Sequence, residues 1–298
     1  MTPMASGAWK GIACVVAAGL CFAVLDSTAK VVVASVPVLM VLWVRYLIQA
    51  VFSTVLLLPR HGVNLFRTRH PWLQLLRGGL LSVTTMLALL SLRFLPVGEF
   101  TAIVMVTPLM VTVLAVVLFR EHVARLQWVF VVGGFVGTVC IVRPGGEVFG
   151  WAAILALACM ACNTAFQLLT SHLARSENAA TTHFLTGWVG AVVMTLALPF
   201  AWSSVDTDTL WFMMVVMGVL ASVGHFLLTL AYRYAPASTL MPYLYGHVGF
   251  AVLAGWIVFA HVPDAWSLTG IGLIAICGAC SAWVSARSRR IPVAASDP

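Results

Sequence analysis

Charge is what this sequence has least of. Only 8% of its 298 residues are Asp, Glu, Lys or Arg, where a soluble domain carries about a quarter. A water-soluble helical bundle would need a polar face on each outer helix, and the apolar stretches here offer none. Acid is scarcer than base, nine residues against sixteen. The resulting net charge of +7 is nevertheless not gathered into the basic, aromatic-interleaved stripe of a nucleic-acid surface, so no nucleic-acid partner is expected. There is no phosphate-cradling loop of the G-x-x-x-x-G-K-S/T kind. The seven cysteines all fall in apolar runs. Cys159/Cys162 and Cys277/Cys280 have the C-x-x-C spacing of redox and zinc sites, but among Ala, Leu and Ile they read as small packing residues. No metal and no cofactor are expected.

What the sequence has in quantity is apolar runs of about twenty residues, enough to cross roughly 30 Å of hydrocarbon. Hydrocarbon offers no hydrogen bonds to the backbone, so each run has to be helical. Hydropathy predicts ten spans. The first five are Gly11–Val33, Pro37–Leu58, Trp72–Leu92, Val97–Phe119 and Leu126–Val142. The second five are Trp151–Leu169, Thr182–Trp202, Leu210–Leu230, Ser238–Phe259 and Trp266–Val284. The first run lacks a small-residue cleavage site and is expected to stay as a helix. Trp9, Trp72, Trp128, Trp151, Trp202, Trp211 and Trp266 lie near span ends, where indole rings favour the interface.

Basic residues orient the chain. With a cytoplasmic N-terminus, Lys10, Arg60, Arg67, Arg69, Arg77, Arg120, Arg125, Arg175, Arg233, Arg287, Arg289 and Arg290 fall inside. Lys30, Arg93 and Arg143 fall outside, and Arg45 lies within a span. This asymmetry predicts a multi-pass protein of the bacterial inner membrane with both termini cytoplasmic.

An internal repeat organises the spans. Pro59 pairs with Pro199, Gly78 with Gly218, Ser82-Val83 with Ser222-Val223, Arg93-Phe94-Leu95-Pro96 with Arg233-Tyr234-Ala235-Pro236, and Phe119 with Phe259, each 140 residues apart. Five spans is an odd number, so the second half lies upside down relative to the first. The expected fold is all-α integral membrane: ten transmembrane helices as two inverted five-helix repeats, residues 1–145 and 146–290, with a disordered cytoplasmic tail over 291–298. Halves that exchange roles are a recurrent plan for secondary carriers, whose site lies between them.

The same residues resemble a known family, the EamA-like branch of the drug/metabolite transporter superfamily. The resemblance rests on Leu92-Arg93-Phe94-Leu95-Pro96-Val97-Gly98-Glu99, Thr107-Pro108-Leu109, Leu118-Phe119-Arg120-Glu121, Trp128 and the Gly133, Gly134, Gly137 series. It returns in Ala231-Tyr232-Arg233-Tyr234-Ala235-Pro236-Ala237-Ser238 and Trp256-Ile257-Val258-Phe259, where His261 departs from the family pattern by standing in the place of Glu121. The resemblance covers nearly the whole chain and implies the fold and a transport function. For substrate it implies only a range: amino acids, vitamins, nucleosides, opine-like metabolites and toxic cations. Asp26 to Lys30, Arg45-Tyr46, Leu75-Leu76-Arg77-Gly78 and Ala235-Pro236-Ala237-Ser238 resemble a subgroup of carriers for riboflavin or S-adenosylmethionine uptake and for metabolite export. The mid-helix-1 Glu of the small multidrug members is missing, which argues against proton-driven export of lipophilic cations.

Ionisable groups inside spans are costly and therefore functional suspects. Asp26 and Arg45 sit at matching depth on adjacent spans and are expected to pair across a central cavity, with Lys30 one turn above as a rival for Asp26. Such a pair would hold a zwitterionic or carboxylate-bearing solute, gate the outer side, or fix helices 1 and 2. Gln49, one turn below Arg45, joins the candidates. Glu99 opens span 4 near the outer surface, where a helix N-terminus also favours an acid. Asn163 and Gln167 share a face of span 6, suited to a ligand or another helix. His225 and His247 lie well inside the membrane and could carry protons, since imidazole titrates near neutrality; a hydrogen-bonded structural role is the alternative. Trp188, Tyr243 and Tyr245 offer aromatic surface to a flat or cationic ligand or to the core. Pro108 and Pro242 interrupt spans 4 and 9, and such breaks line sites in carriers.

These features predict a secondary carrier working by alternating access, with the cavity between helices 1–4 and 6–9. Export of an amino-acid-like or opine-type solute is the leading expectation; uptake of a vitamin or nucleoside-like compound such as riboflavin or S-adenosylmethionine is the alternative. The expected partners are a small-molecule solute and membrane lipid, with a proton or solute gradient as the energy source and a monomer or dimer as the assembly. An enzyme would need converging nucleophiles or metal ligands, which the scattered histidines do not supply. A channel would need no alternating access, and labelling from each side would separate the two.

Overall fold

The apolar runs do fold as helices. The computed structural model describes residues 3–107, 109–111, 113–114, 125–142, 151–200, 202–205, 207–235, 240, 243–244 and 246–288. Among the described residues every regular element is helical. The first half contains α1 (Pro3–Val32), α2 (Val38–His61), α3 (Pro71–Leu92), α4 (Val97–Val104) and α5 (Arg125–Val142). The second contains α6 (Trp151–Leu173), α7 (Ala179–Ala197), α8 (Asp208–Tyr234), α9 (Gly246–Phe259) and α10 (Ala265–Ser288). Among the described residues six helices are long and apolar enough to cross a membrane: Trp9–Val32, Val38–Phe66, Pro71–Leu92, Trp151–Leu173, Ala179–Phe200 and Asp208–Tyr234. Val97–Val111, Trp128–Ile141, Gly246–Phe259 and Ala265–Cys280 are apolar but shorter. The predicted tail over 291–298, and Pro108, Pro242 and Glu121, lie outside the described residues.

Local chemistry explains where helices begin and end. Pro71 opens α3 at a position where a missing N–H costs nothing. Just before it, Glu177 Oε1 accepts from the backbone N–H of Arg69 (2.7 Å) and His70 (3.2 Å) and from Thr68 Oγ1 (2.9 Å). That carboxylate sits where the helix dipole favours an anion, and it ties the loop before α3 to the loop before α7. Asn178 caps α7 through Ala180 N at 3.0 Å. The fourth predicted span is interrupted: α4 ends at Val104, and helical residues resume at Thr107.

Polarity is inside out. Phe200 is 88% exposed and Ile257 76%, whereas Arg45 and Arg77 are each at most 2% exposed and Gln49 is fully buried. Such a surface fits hydrocarbon, and the polar interior fits a bundle that keeps its ionisable groups away from lipid.

Helices meet through small residues, as membrane bundles do. The most extensive contacts are α1 with α8, α5 with α10, α3 with α6 and α2 with α7. In the α2–α7 pair, Trp43 Nε1 donates to Thr195 Oγ1 (3.1 Å), Tyr46 covers Gly190, Ala50 lies on Gly187, and Trp188 Nε1 donates to Thr54 Oγ1 (3.1 Å). Residue numbers rise along α2 as they fall along α7, so the two run antiparallel. α5 and α10 are antiparallel as well, with Gly133 against Cys277, Gly137 against Ile274 and Ile141 against Gly270. A Cβ on Gly78 would come within 2.6 Å of Val189, and one on Gly218 within 2.6 Å of Ile48.

Candidate functional site

A cavity of about 110 Å³ lies at the middle of the bundle, lined from α1, α2, α3, α4, α6, α8 and α9. Asp26, Arg45, Asn163, Gln167, His225 and His247, all singled out from the sequence, line it together. The structure adds Phe22, Thr84, Thr85, Phe100 and Cys159 to that wall.

The expected Asp26–Arg45 pair does not form. Asp26 Oδ2 instead stands 3.3 Å from His247 Nε2 on α9, while Arg45 donates to Thr85 Oγ1 at 3.0 Å and lies over the Tyr46 ring. Lys30 is no rival for Asp26 either. Its ammonium donates to the carbonyls of Leu92 (3.0 Å) and Leu95 (2.7 Å), where the C-terminal end of α3 favours a cation. Sequence spacing placed these groups at one depth but could not tell which way each helix turns.

Several polar atoms of the wall make no hydrogen bond within the protein. Arg45 Nε, Thr84 Oγ1, His225 Nδ1 and both ring nitrogens of His247 are buried and make no hydrogen bond. Buried groups of this kind are rare and call for an explanation. Asn163 Nδ2 reaches Thr107 Oγ1 at 3.3 Å, and Gln167 Oε1 accepts from the Tyr232 hydroxyl at 2.7 Å, leaving its amide nitrogen for other partners. Flat surfaces frame these groups: the Phe22 ring lies 4.9 Å from the His225 ring and 6.0 Å from that of His247.

The other candidates lie elsewhere. Gln49 is wedged between α2 and α7 with both amide atoms unpartnered, away from the cavity. Glu99 opens α4 outside the cavity; its Oε1 faces His261 Nε2 at 3.2 Å and its Oε2 has no partner. Trp188 is turned outward, 43% exposed, with its indole N–H on Thr54. Trp188→Phe is accordingly expected to change stability by less than about 0.5 kcal/mol and to leave solute affinity at the wild-type value in a binding titration. Tyr243 is exposed and off the wall, and Tyr245 lies outside the described residues.

Arg77 corrects the sequence reading most. The sequence reading groups it with the cytoplasmic charges; the structure buries it in the bundle, where it reaches across four helices. Its guanidinium donates to Thr170 Oγ1 (2.8 Å), Thr182 O (3.4 Å), Thr186 Oγ1 and Thr229 Oγ1 (3.2 Å), and lies 4.6 Å above the Phe166 ring. Each threonine hydroxyl also donates to the carbonyl four residues back, so the hydroxyls are satisfied whether or not the arginine is there. Thr186→Val would orphan a guanidinium N–H and is expected to cost about 1–3 kcal/mol, read as a drop in melting temperature. Arg77→Met removes the charge and strands nothing, so it should cost less. His183, overlooked among the buried histidines, bonds Ser222 at 3.0 Å. The one sequence signal for this clamp was an arginine several residues inside a span.

Comparison with known proteins finds a transporter family and transporter relatives. Residues 9–143 match the EamA-like transporter family. A riboflavin transporter of Vibrio cholerae serotype O1 is 27% identical, over 94% of this chain and 96% of that protein. An S-adenosylmethionine uptake transporter of Rickettsia bellii is 28% identical, over 75% of this chain and 77% of that protein. A pseudopaline exporter of Pseudomonas aeruginosa is 24% identical, over 90% and 94%. A solved crystal structure shares the fold, with a TM-score of 0.69 at 16% identity across 96% of this chain and 99% of that one. Residues 9–143 are thus similar to the EamA-like transporter family, the relatives that span most of the chain are named as transporters, and the long apolar helices make this a multi-pass membrane protein.

Proposed function

We propose that the chain is a secondary carrier whose central cavity takes a small organic solute combining a flat heteroaromatic ring with carbonyl or carboxylate groups, and passes it across the bacterial inner membrane by alternating access. The observation that carries this reading is the wall itself: Phe22 and two imidazoles frame a space lined also by Arg45 and Thr84, and these polar residues carry buried atoms without hydrogen-bond partners. Rings suit stacking, and the free donors suit carbonyl oxygens. Asn163 and Gln167 add amides for the polar edge of the solute. A flat vitamin or a nucleoside-like compound has this chemistry, as the names of the riboflavin and S-adenosylmethionine relatives suggest. Arg45 favours a second reading, export of an amino-acid-derived carboxylate, in line with the pseudopaline exporter.

The carrier plan has support in the helix contacts. If helices 1–5 and 6–10 are equivalent, α1 on α8 is matched by α6 on α3, and α2 on α8 by α7 on α3; all four pairs are in contact. The presumed equivalents α2 and α7 run antiparallel, as do α5 and α10, as inverted copies in residues 1–145 and 146–290 would. Gly78 and Gly218, 140 residues apart, receive side chains from α7 and α2 respectively. The cavity then lies between the halves, with both termini cytoplasmic. At about 110 Å³ it is below the roughly 300–1,000 Å³ of ligand sites, so loading the solute entails separating the halves.

The test is thermal stabilisation of purified protein, since binding raises apparent stability by mass action. Riboflavin or S-adenosylmethionine is expected to raise the melting temperature in proportion to its concentration. Stabilisation by opine-type carboxylates alone would transfer the conclusion to the exporter reading, and no response to either class would sink both.

A further inference from the structure

We propose that Asp26 and His247 together form the site of a coupling proton that crosses with the solute; this rests on reading the chain as a secondary carrier. The pair joins α1 to α9 in the cavity wall, with His247 Nε2 3.3 Å from Asp26 Oδ2. His247 is 5% exposed, and neither of its ring nitrogens has a hydrogen-bond partner. α1 passes close to it at Gly19, where an added Cβ would lie 3.4 Å from that of His247. A buried imidazole left open at both nitrogens beside a carboxylate is poorly built as a structural contact, because buried polar groups are normally satisfied. It is well built to take up a proton and share it with a counter-ion.

The surroundings isolate the pair. Among the described residues the other charged or titratable groups of the wall are Arg45 from α2, His225 from α8 and Cys159 from α6. Glu99 on α4 is turned to His261, and Lys30 is bound to the carbonyls at the end of α3. With both imidazoles neutral, Asp26 and Arg45 cancel. A proton on the pair adds one positive charge to a wall enclosed by hydrocarbon, where net charge is disfavoured. A solute presenting carbonyl or carboxylate oxygens relieves that charge, so proton and solute favour each other and travel in the same direction. The proton comes from water on the side to which the cavity is open, rests on an imidazole nitrogen with Asp26 as counter-ion, and returns to water on the far side.

Liposomes containing the purified protein, with riboflavin as the probe and S-adenosylmethionine as the second, test this. In wild type, solute is expected to accumulate against its gradient toward the alkaline side, by up to about tenfold per pH unit for one proton per solute. In Asp26→Asn, which keeps the shape of the carboxylate, the ratio of accumulation to gradient-free exchange should no longer respond to pH. His247→Gln is the second variant should the first fail to fold, and it should behave in the same way. A wild type that exchanges solute yet ignores the pH gradient overturns the proton site and leaves the carrier reading standing, as does a folded variant that keeps the response. A wild type that exchanges neither probe overturns the carrier reading, and the proton site with it.

Discussion

Arg45→Met is expected to yield a folded, monodisperse protein with sharply weakened solute binding. The loss should be about 1.5–3 kcal/mol, the worth of hydrogen bonds to a charged group, which is roughly 10- to 150-fold in Kd. The structure explains why folding should survive. Asp26 lies against His247 and makes no ion pair with Arg45, so removing the guanidinium breaks no ion pair, and a proton on His247 balances the carboxylate that Arg45 otherwise offsets. Thr85 keeps its bond to the Leu81 carbonyl at 2.8 Å. Replacing a buried charge by an apolar side chain of similar length is generally tolerated when no partner charge remains behind. Titration of the purified variant beside its melting curve checks both halves of the expectation. A collapse in melting temperature would make Arg45 a structural residue, and unchanged affinity would remove it from the site.

The largest loss of folded protein is expected from Gly270→Val. A Cβ at Gly270 would come within 2.5 Å of the Gly137 carbonyl oxygen and 2.6 Å of Ile141, and one at Gly137 within 2.8 Å of the Gly270 carbonyl. The obstacle is backbone, so no change of rotamer relieves it and α5 must part from α10. Overpacking of this kind costs about 1–3 kcal/mol, and separated helices also lose the close contact that drives association in lipid. Gly272, two residues on, meets nothing within 4 Å, so Gly272→Val should leave the protein intact. Yield and melting temperature of the two variants, compared directly, read the difference. Equal behaviour would mean that α5 and α10 do not meet at these glycines.

The candidate site was legible in part. Asp26, Arg45, Asn163, Gln167, His225 and His247 all reached the cavity wall because a polar group within an apolar run has few places to go except the bundle interior. Trp188 misled for the opposite reason. An aromatic ring is at home in lipid as well as in a cavity, so its identity does not say which way it faces. Arg77 misled because it stands near the start of a span, where a positive charge in a loop and a positive charge in the core look alike in one dimension. Only the threonines of α6, α7 and α8 around it, up to 152 residues away in the chain, distinguish them.

Low charge and runs of about twenty apolar residues determined, without any coordinates, that the chain crosses a membrane as helices, because hydrocarbon leaves the backbone no other way to satisfy its hydrogen bonds. Partnership was decided only by the tertiary structure: Asp26 with His247, Lys30 with the end of α3, Arg77 with the threonines of three helices. The physical reason is geometric. Depth along a span follows from counting residues, but the direction in which a side chain points depends on how each helix is rotated against its neighbours, and that is set by glycine contacts and ring faces that no single segment contains.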